Sequence, residues 1–254
     1  MVLYFSATGN SEYVASRIAE ATNDDLINIT KCLKDSVLEF DLYKGERIGI
    51  VVPTYCWGLP PVVMDFLKAV KFNTVGRHYT YIVATCGGST GIVDRQAAVI
   101  LKDKGMPLHA SFGVRMVDNY TVAFNVKNHK KNLQVLAQAE PFIDEIIRLV
   151  TCKASGNYNK IKGFVAGAYA LQTVYQKDLP RKTKRFKVDN KCIGCGKCAK
   201  ECPCSAIEMV DGKPVWVKEA CTQCFRCIHR CPMYSISYGA GTKRNGQYIN
   251  PRVK

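Results

Sequence analysis

Residues 1–20 read MVLYFSATGNSEYVASRIAE, a strand, a loop and a helix start in immediate succession. Val2–Phe5 is a short continuous apolar run, the pattern of a strand buried on both faces. From Ser11 onward apolar residues recur at helical spacing, which predicts a helix over residues 11–21. Between them lies Ser6-Ala7-Thr8-Gly9-Asn10-Ser11. Its hydroxyls, its permissive glycine and the free amides of a helix start together make a nest for a phosphate monoester, the alternative being a plain capped turn. The loop has no lysine and neither a GxxxxGK[ST] nor a GxGxxG pattern, which argues against nucleoside triphosphates and dinucleotides.

The same alternation continues outward through residue 150. Further strands are predicted at 26–29, 47–52, 79–85 and 108–116, and further helices at 61–70, 91–105 and 127–150. Five strands in this order predict an α/β domain with a doubly wound, five-stranded parallel sheet, whose ligands bind beyond the carboxyl ends of the strands. At those ends stand Pro53-Thr54-Tyr55-Cys56-Trp57-Gly58-Leu59-Pro60-Pro61, Thr85-Cys86-Gly87-Gly88-Ser89-Thr90-Gly91 and Met116-Val117-Asp118-Asn119-Tyr120. Cys56 and Cys86 have no C-x-x-C partner and no adjacent His or Lys, so they read as inert thiols. The four histidines form no metal or catalytic constellation.

The first loop resembles the phosphate loop of flavodoxins, which holds the FMN phosphate with neutral donors. The loops after the third and fourth strands look like the flavin-ring loops of that family, one offering an aromatic face and the other letting backbone approach the ring's polar edge. The resemblance implies an FMN site made by Ser6, Thr8, Gly9, Asn10 and Ser11, by Pro53, Thr54, Tyr55, Trp57 and Gly58, and by Thr85, Cys86, Gly87 and Gly88. Asn119 and Tyr120 would complete it. Tyr55, Trp57 and Tyr120 are the stacking candidates, with ordinary packing over the sheet edge as the other reading.

Residues 192–203 read CIGCGKCAKECP and residues 221–232 read CTQCFRCIHRCP. Both spell C-x2-C-x2-C-x3-C-P, the bacterial ferredoxin signature for two [4Fe-4S] clusters, in which the fourth cysteine of each run ligates the other cluster. Three thiolates at every third residue of a tight loop can converge on three corners of a cuboidal cluster. The expected sets are Cys192, Cys195, Cys198 and Cys231 for one cluster, and Cys221, Cys224, Cys227 and Cys202 for the other. Gly194 and Gly196 relax the first loop. Zinc prefers paired knuckles with a longer interval, and disulfides need an oxidising compartment.

At 254 residues with thirteen cysteines, the chain suits one mid-sized domain and one small one. The expected boundaries are 1–150 for the FMN domain, 151–182 for a connecting helix and linker, and 183–254 for the ferredoxin domain with its tail. The start lacks a signal-peptide pattern, and no run reaches the roughly 20 apolar residues of a membrane span, so a soluble cytoplasmic protein is expected. The net charge of +15 is uneven: residues 181–254 carry 16 Lys/Arg against 5 Asp/Glu, and residues 1–180 carry 20 against 16. A basic cluster-bearing part predicts an acidic redox partner. Nucleic acid is disfavoured, because the basic run RKTKRFK at 181–187 accompanies no recognised nucleic-acid motif. IKGFVAGAYALQTVYQ at 161–176 predicts a helix with Gly163, Ala166, Gly167 and Ala170 on one side, packed between the domains or against a second subunit, and Pro180 ends it.

Nearly the whole chain is similar to a family of flavodoxin-ferredoxin fusion proteins found mainly in anaerobes. The TGNS and TCGG loops, the MVDNY segment, the doubled cysteine motif and the terminal Gly246-Gln247-Tyr248-Ile249-Asn250-Pro251 carry that resemblance. It implies an electron-transfer protein that relays single electrons between two [4Fe-4S] clusters, an FMN and an acidic ferredoxin, flavodoxin or oxidoreductase. The rival expectations are an FMN-dependent reductase of a quinone or other small acceptor, and an iron-sulfur protein without flavin.

Overall fold

The computed structural model describes residues 1–178, 183–218 and 221–253. In chain order the first part holds β1 (Val2–Tyr4), α1 (Asn10–Thr22), β2 (Leu26–Asn28), α2 (Ile29–Asp35), β3 (Glu39–Leu42), β4 (Arg47–Pro53), α3 (Pro61–Ala69) and β5 (Lys71–Thr74). It continues with β6 (Tyr79–Cys86), α4 (Val93–Lys102), β7 (Ala110–Arg115), α5 (His129–Thr151), β8 (Gly156–Asn157) and α6 (Val165–Asp178). All five predicted strands lie in one parallel sheet of order β2-β1-β4-β6-β7-β8.

Alternate side chains of the strands feed two cores. Val2, Tyr4, Tyr81 and Val83 pack with Val14 and Ile18 of α1 and Leu136 and Ile143 of α5. Leu3, Phe5, Ile50 and Ile82 pack on the opposite face with Phe66 and Leu67 of α3 and Ala97 and Leu101 of α4. Burial on both faces explains why β4 and β6 read as unbroken apolar runs. Strand order reverses at β1, so the loops leaving β1 and β4 diverge and open a crevice between them.

The sheet is one strand wider than predicted, because the two-residue β8 pairs with β7 at its edge. The second strand ends one residue early: the Asn28 side chain accepts from Thr30 N at 2.9 Å and Lys31 N at 3.3 Å and so starts α2. Among the described residues β3 and β5 pair only with each other.

α6 packs between the two parts of the chain, but not by its small residues. Ala168, Gln172 and Tyr175 are its buried side, whereas Ala166 and Ala170 are exposed. Gln172 turns inward because its amide donates to Tyr55 O and Cys56 O, both at 2.7 Å, and the Tyr175 hydroxyl donates to Thr222 O at 3.1 Å. Pro180 and the first two residues of the basic run lie outside the described residues.

The C-terminal part holds β9 (Phe186–Val188), α7 (Lys197–Lys200), β10 (Ile207–Val210), β11 (Lys213–Trp216), α8 (Arg226–His229), β12 (Ile236–Tyr238) and α9 (Gly241–Asn245). β9 pairs antiparallel with β12, and β10 with β11. The cysteine runs fold alike: Gly194, Gly196 and Ser205 of the first are left-handed, and Gln223, Phe225 and Tyr234 repeat that conformation at the same places in the second. Phe186, Phe225, Ile228, Ile236 and Tyr238 form the core between them. Among the described residues no helix is long and apolar enough to cross a membrane.

Candidate functional site

A cavity of about 520 Å³ opens at the carboxyl ends of the central strands, lined by Ser6, Thr8, Asn10 and Ser11, by Pro53, Thr54, Tyr55 and Trp57, by Thr85, Cys86, Gly87 and Gly88, and by Asn119 and Tyr120. At one end stands the amino terminus of α1. Its cap residue, Gly9, has φ 96° and supplies no side-chain bond, so the first-turn amides keep no side-chain cap. The hydroxyls beside them are held in place: Ser6 Oγ accepts from Gly9 N at 3.0 Å, Ser11 and Thr85 hydroxyls meet at 2.8 Å, and Asn119 Nδ2 donates to Thr8 Oγ1. The aligned backbone amides and the helix dipole make this end receptive to an anion.

Residues 55–58 form a two-residue hairpin in which Tyr55 N donates to Gly58 O at 2.9 Å and Gly58 N to Tyr55 O at 3.0 Å. Its two central residues, Cys56 and Trp57, are both left-handed, with φ 48° and 63°. Such a turn favours Asn-Gly. Placing two side chains there instead costs roughly 1–2 kcal/mol for each residue, a local strain of the kind that clusters at functional sites. Gln172 supports the turn from below, and Leu59 N donates to Gln96 Oε1 at 2.7 Å. Trp57, Tyr120 and Phe124 keep 42%, 40% and 48% of their surface exposed and rim the opening.

Gly9 and Gly58 are not part of the cavity wall. A Cβ on Gly9 would sit 2.5 Å from Val253 Cγ2, and one on Gly58 would sit 2.3 Å from Gln172 Cδ. Both glycines serve close packing behind the site. Burial pushes the Cys86 thiol up to about 12, outweighing the nearby Arg115, and burial raises Cys56 as well, so neither is a ready thiolate. Asp118 also lines the cavity, and burial raises its carboxyl above the ordinary value despite the bond it accepts from Tyr120 N.

One wall comes from the other part of the chain, and nothing in the sequence pattern pointed to it. Tyr175 of α6 and Gln223, Cys224 and Phe225 of the second cysteine run line the same cavity. Phe225 is buried and lies 5.5 Å from the Tyr120 ring. The next residue, Arg226, donates to Ser6 O at 2.7 Å while paired with Glu201 at 3.0 Å. His229 is buried and bonded at both nitrogens: Tyr248 N donates to Nδ1 at 3.1 Å, so the proton sits on Nε2 and is donated to Asn119 O at 2.9 Å. Desolvation lowers this imidazole to about 4, so it stays neutral.

The tail closes the back of the site. Asn250 N donates to Thr8 O at 2.7 Å, and the Tyr248 hydroxyl and Asn250 Nδ2 both donate to Asn10 Oδ1, at 2.8 and 3.2 Å. Gln247 Nε2 donates to Ile228 O at 2.7 Å and Cys231 O at 2.8 Å, which ties the same segment to the second cysteine run.

Two tight cavities gather the eight cysteines in crossed sets. Cys192, Cys195, Cys198 and Cys231 surround one. Cys202, Cys221, Cys224 and Cys227 surround the other, which Cys204 also lines. Backbone amides point at sulfur from Ala206 to Cys202 at 3.4 Å, from Gln223 to Cys221 at 3.4 Å and from Ser235 to Cys231 at 3.3 Å. Cys224 and Phe225 belong to the walls of both the second cavity and the large one.

A family model for the flavodoxin domain matches residues 1–111, and one for the 4Fe-4S dicluster domain matches residues 184–232. The chain is a flavodoxin-ferredoxin fusion. No curated protein matches the fusion. Among solved structures it is similar to the Trp repressor binding protein from Bacillus subtilis, with 12% identity over 56% of the fusion and 95% of that chain and a TM-score of 0.31. It is also similar to rubredoxin oxygen:oxidoreductase from the anaerobe Desulfovibrio gigas, with 18% identity over 60% of the fusion and 36% of that chain and a TM-score of 0.34. A flavone reductase covers 92% of the fusion and 85% of its own chain at 8% identity and a TM-score of 0.37.

The two domains imply FMN and iron-sulfur clusters as the fusion's cofactors, and the residues present fit them. The large cavity joins an uncapped helix start to an aromatic rim, and inside it Thr54 Oγ1 is buried without a hydrogen-bond partner among the described residues. The first small cavity presents four thiols and the second five, Cys204 included, and neither is lined by a carboxylate or imidazole of the described residues. Among the described residues no three His, Cys, Asp or Glu side chains close in as a single metal ion would need.

Proposed function

We propose that the fusion is an electron-transfer protein in which the two clusters pass single electrons to or from FMN and exchange them with an acidic redox protein. The observation that carries this reading is the shared wall: Cys224, one of the second thiol set, and its neighbour Phe225 line both that set's cavity and the large one. FMN, when bound, accepts two electrons where each cluster passes one.

In this reading Ser6, Thr8, Asn10, Ser11 and the start of α1 hold the phosphate. Tyr55, Trp57 and Tyr120 flank the ring, and the backbone of Thr85–Gly88 meets its polar edge. Cys192, Cys195, Cys198 and Cys231 hold an outer cluster, and Cys202, Cys221, Cys224 and Cys227 an inner one. Thirteen free cysteines fit the reducing cytoplasm. Phe164, just before α6, and Leu171 and Val174 on it keep 77%, 38% and 55% of their surface exposed, which favours a homodimer, testable by light scattering.

The experiment is an anaerobic reductive titration of the holo-protein followed by absorbance and EPR. Cluster signals and flavin bleaching are expected to equilibrate with each other within one turnover of mixing. Clusters that reduce fully while the flavin stays oxidised would overturn the relay.

A second reading, an FMN-dependent reductase of a quinone or other small acceptor, draws support from Asp118. Among the described residues it is the sole carboxylate lining the cavity, and burial favours its protonated form. Turnover of a quinone by the reduced protein without any protein partner would select that reading over the carrier.

A further inference from the structure

The two thiol sets are unequal in access. The second set is buried against the large cavity, with Cys221 and Cys202 each 8% exposed and Cys224 in the cavity wall. The first set opens on the surface: Cys195 is exposed, and Ile193 and Met233, which line the same small cavity, keep 64% and 41% of their surface exposed. Isoleucine and methionine standing out beside a thiolate cluster form an apolar contact patch at a place where the chain has nothing else to bury.

Cations ring that patch. Lys197 lines the cavity, Lys191 precedes Cys192 and is exposed, and Lys213 Nζ donates to Cys192 O at 3.0 Å. Asp189 is paired with Lys243 at 2.9 Å, and Glu201 sits closest to Arg226 at 3.0 Å and only loosely against Lys197 at 3.9 Å. Glu208 and Asp211 are exposed on the adjoining hairpin and leave the lysines in excess. An apolar centre with a cationic rim suits a partner whose surface redox centre is ringed by carboxylates.

We infer that the surface around Cys195, Ile193, Met233, Lys191 and Lys197 is where an acidic one-electron carrier of the ferredoxin type docks, so that electrons enter or leave the protein through the outer cluster. The inference rests on the electron-transfer reading above and assigns its partner a place. In the transfer from a reduced partner, the partner loses one electron and the cluster held by Cys192, Cys195, Cys198 and Cys231 gains it. No bond forms or breaks and no proton moves.

The test uses the full-length holo-protein and an acidic two-cluster ferredoxin as probe. A Lys191→Glu/Lys197→Glu double variant and an Ile193→Asp variant are compared with wild type and with a control, Lys68→Glu/Lys102→Glu, on α3 and α4. Binding of the oxidised ferredoxin is measured by calorimetry, and reduction by the reduced ferredoxin is measured by stopped flow. Both the affinity and the rate of the docking variants are expected to fall about tenfold or more at low salt. For the lysine pair that difference should shrink as salt rises. Rates are compared per bound cluster, from the iron content of each variant, and the control variant should match wild type. Docking variants that bind and react like wild type, or a control that loses as much as they do, would overturn the docking surface. Failure of the relay itself is read separately, from wild type reduced by dithionite whose flavin stays oxidised.

Discussion

The bonds that tie the tail to the phosphate loop should be felt in FMN affinity, and not additively. Asn10 Oδ1 accepts from two donors, the Tyr248 hydroxyl at 2.8 Å and Asn250 Nδ2 at 3.2 Å. All three residues are buried, at 5%, 6% and 0% exposure. Tyr248→Phe or Asn250→Ala alone removes one net hydrogen bond to Asn10, of about 1 kcal/mol, and leaves that acceptor satisfied by the other donor. Asn250→Ala also loses the bond its Oδ1 accepts from Arg252 N at 3.0 Å, which lies outside the phosphate loop. The double variant leaves a buried oxygen with no partner, which adds roughly 1–3 kcal/mol to the sum of the two losses. Expressed through a phosphate loop that must be ordered to bind, each single change should weaken FMN about 5-fold and the double change roughly 100-fold or more. The assay is titration of flavin-free protein with FMN, read by quenching of flavin fluorescence, with iron content checked in each variant. A double variant that loses only the product of the two single effects would refute the shared-acceptor argument. Wild-type affinity accompanied by a lower melting temperature would refute the link to the phosphate loop.

Asp118→Asn should raise the melting temperature of flavin-free protein at neutral pH. Burial raises the folded carboxyl above its ordinary 3.8, so the ionised form carries a cost that is absent below that value and complete above the raised one. The gain should therefore vanish as pH falls, and a gain that grows in acid would reverse the sign. Cys195→Ser and Cys224→Ser should each lose roughly half the iron, but only Cys224→Ser should also weaken FMN, measured on the same flavin titration. Phe225→Gly relieves a left-handed side chain worth about 1–2 kcal/mol. It also forfeits a buried ring worth about 3–5 kcal/mol, so denaturant titration should show a net loss of stability.

The sheet was legible because Ile48–Val52 and Tyr79–Cys86 need to be apolar on both sides, and a doubly buried strand announces itself without periodicity. The crossed cysteine sets were legible because their spacing is dictated by the geometry of a cube. β8 is two residues, Gly and Asn, held only by backbone pairing with β7, so no side-chain pattern marks it. β3 and β5, EFDL and KFNT, pair across an intervening strand and helix and are largely exposed, which leaves little apolar signal. The small-residue side of α6 misled, since a buried glutamine and tyrosine with hydrogen bonds to reach decided its orientation. Fourteen of the sixteen wall positions expected from the loops line the cavity, and they would mean little without their far side. That far side, Tyr175 and Gln223–Phe225, follows from how two domains meet, which no local pattern encodes.

The cysteine runs are two copies of one loop, and they depart from each other at a telling place. Where the first copy has Gly196 in a left-handed turn with open space around it, the second has Phe225 in the same turn. Symmetry between the copies would favour glycine in both, because only glycine takes that conformation without cost. The copy that faces outward kept the relaxed residue, and the copy that faces the flavin domain carries a ring that fills the junction. A duplicated unit with identical halves could serve as a free-standing carrier with two interchangeable ends. Breaking the repeat at this residue gives the pair a front and a back.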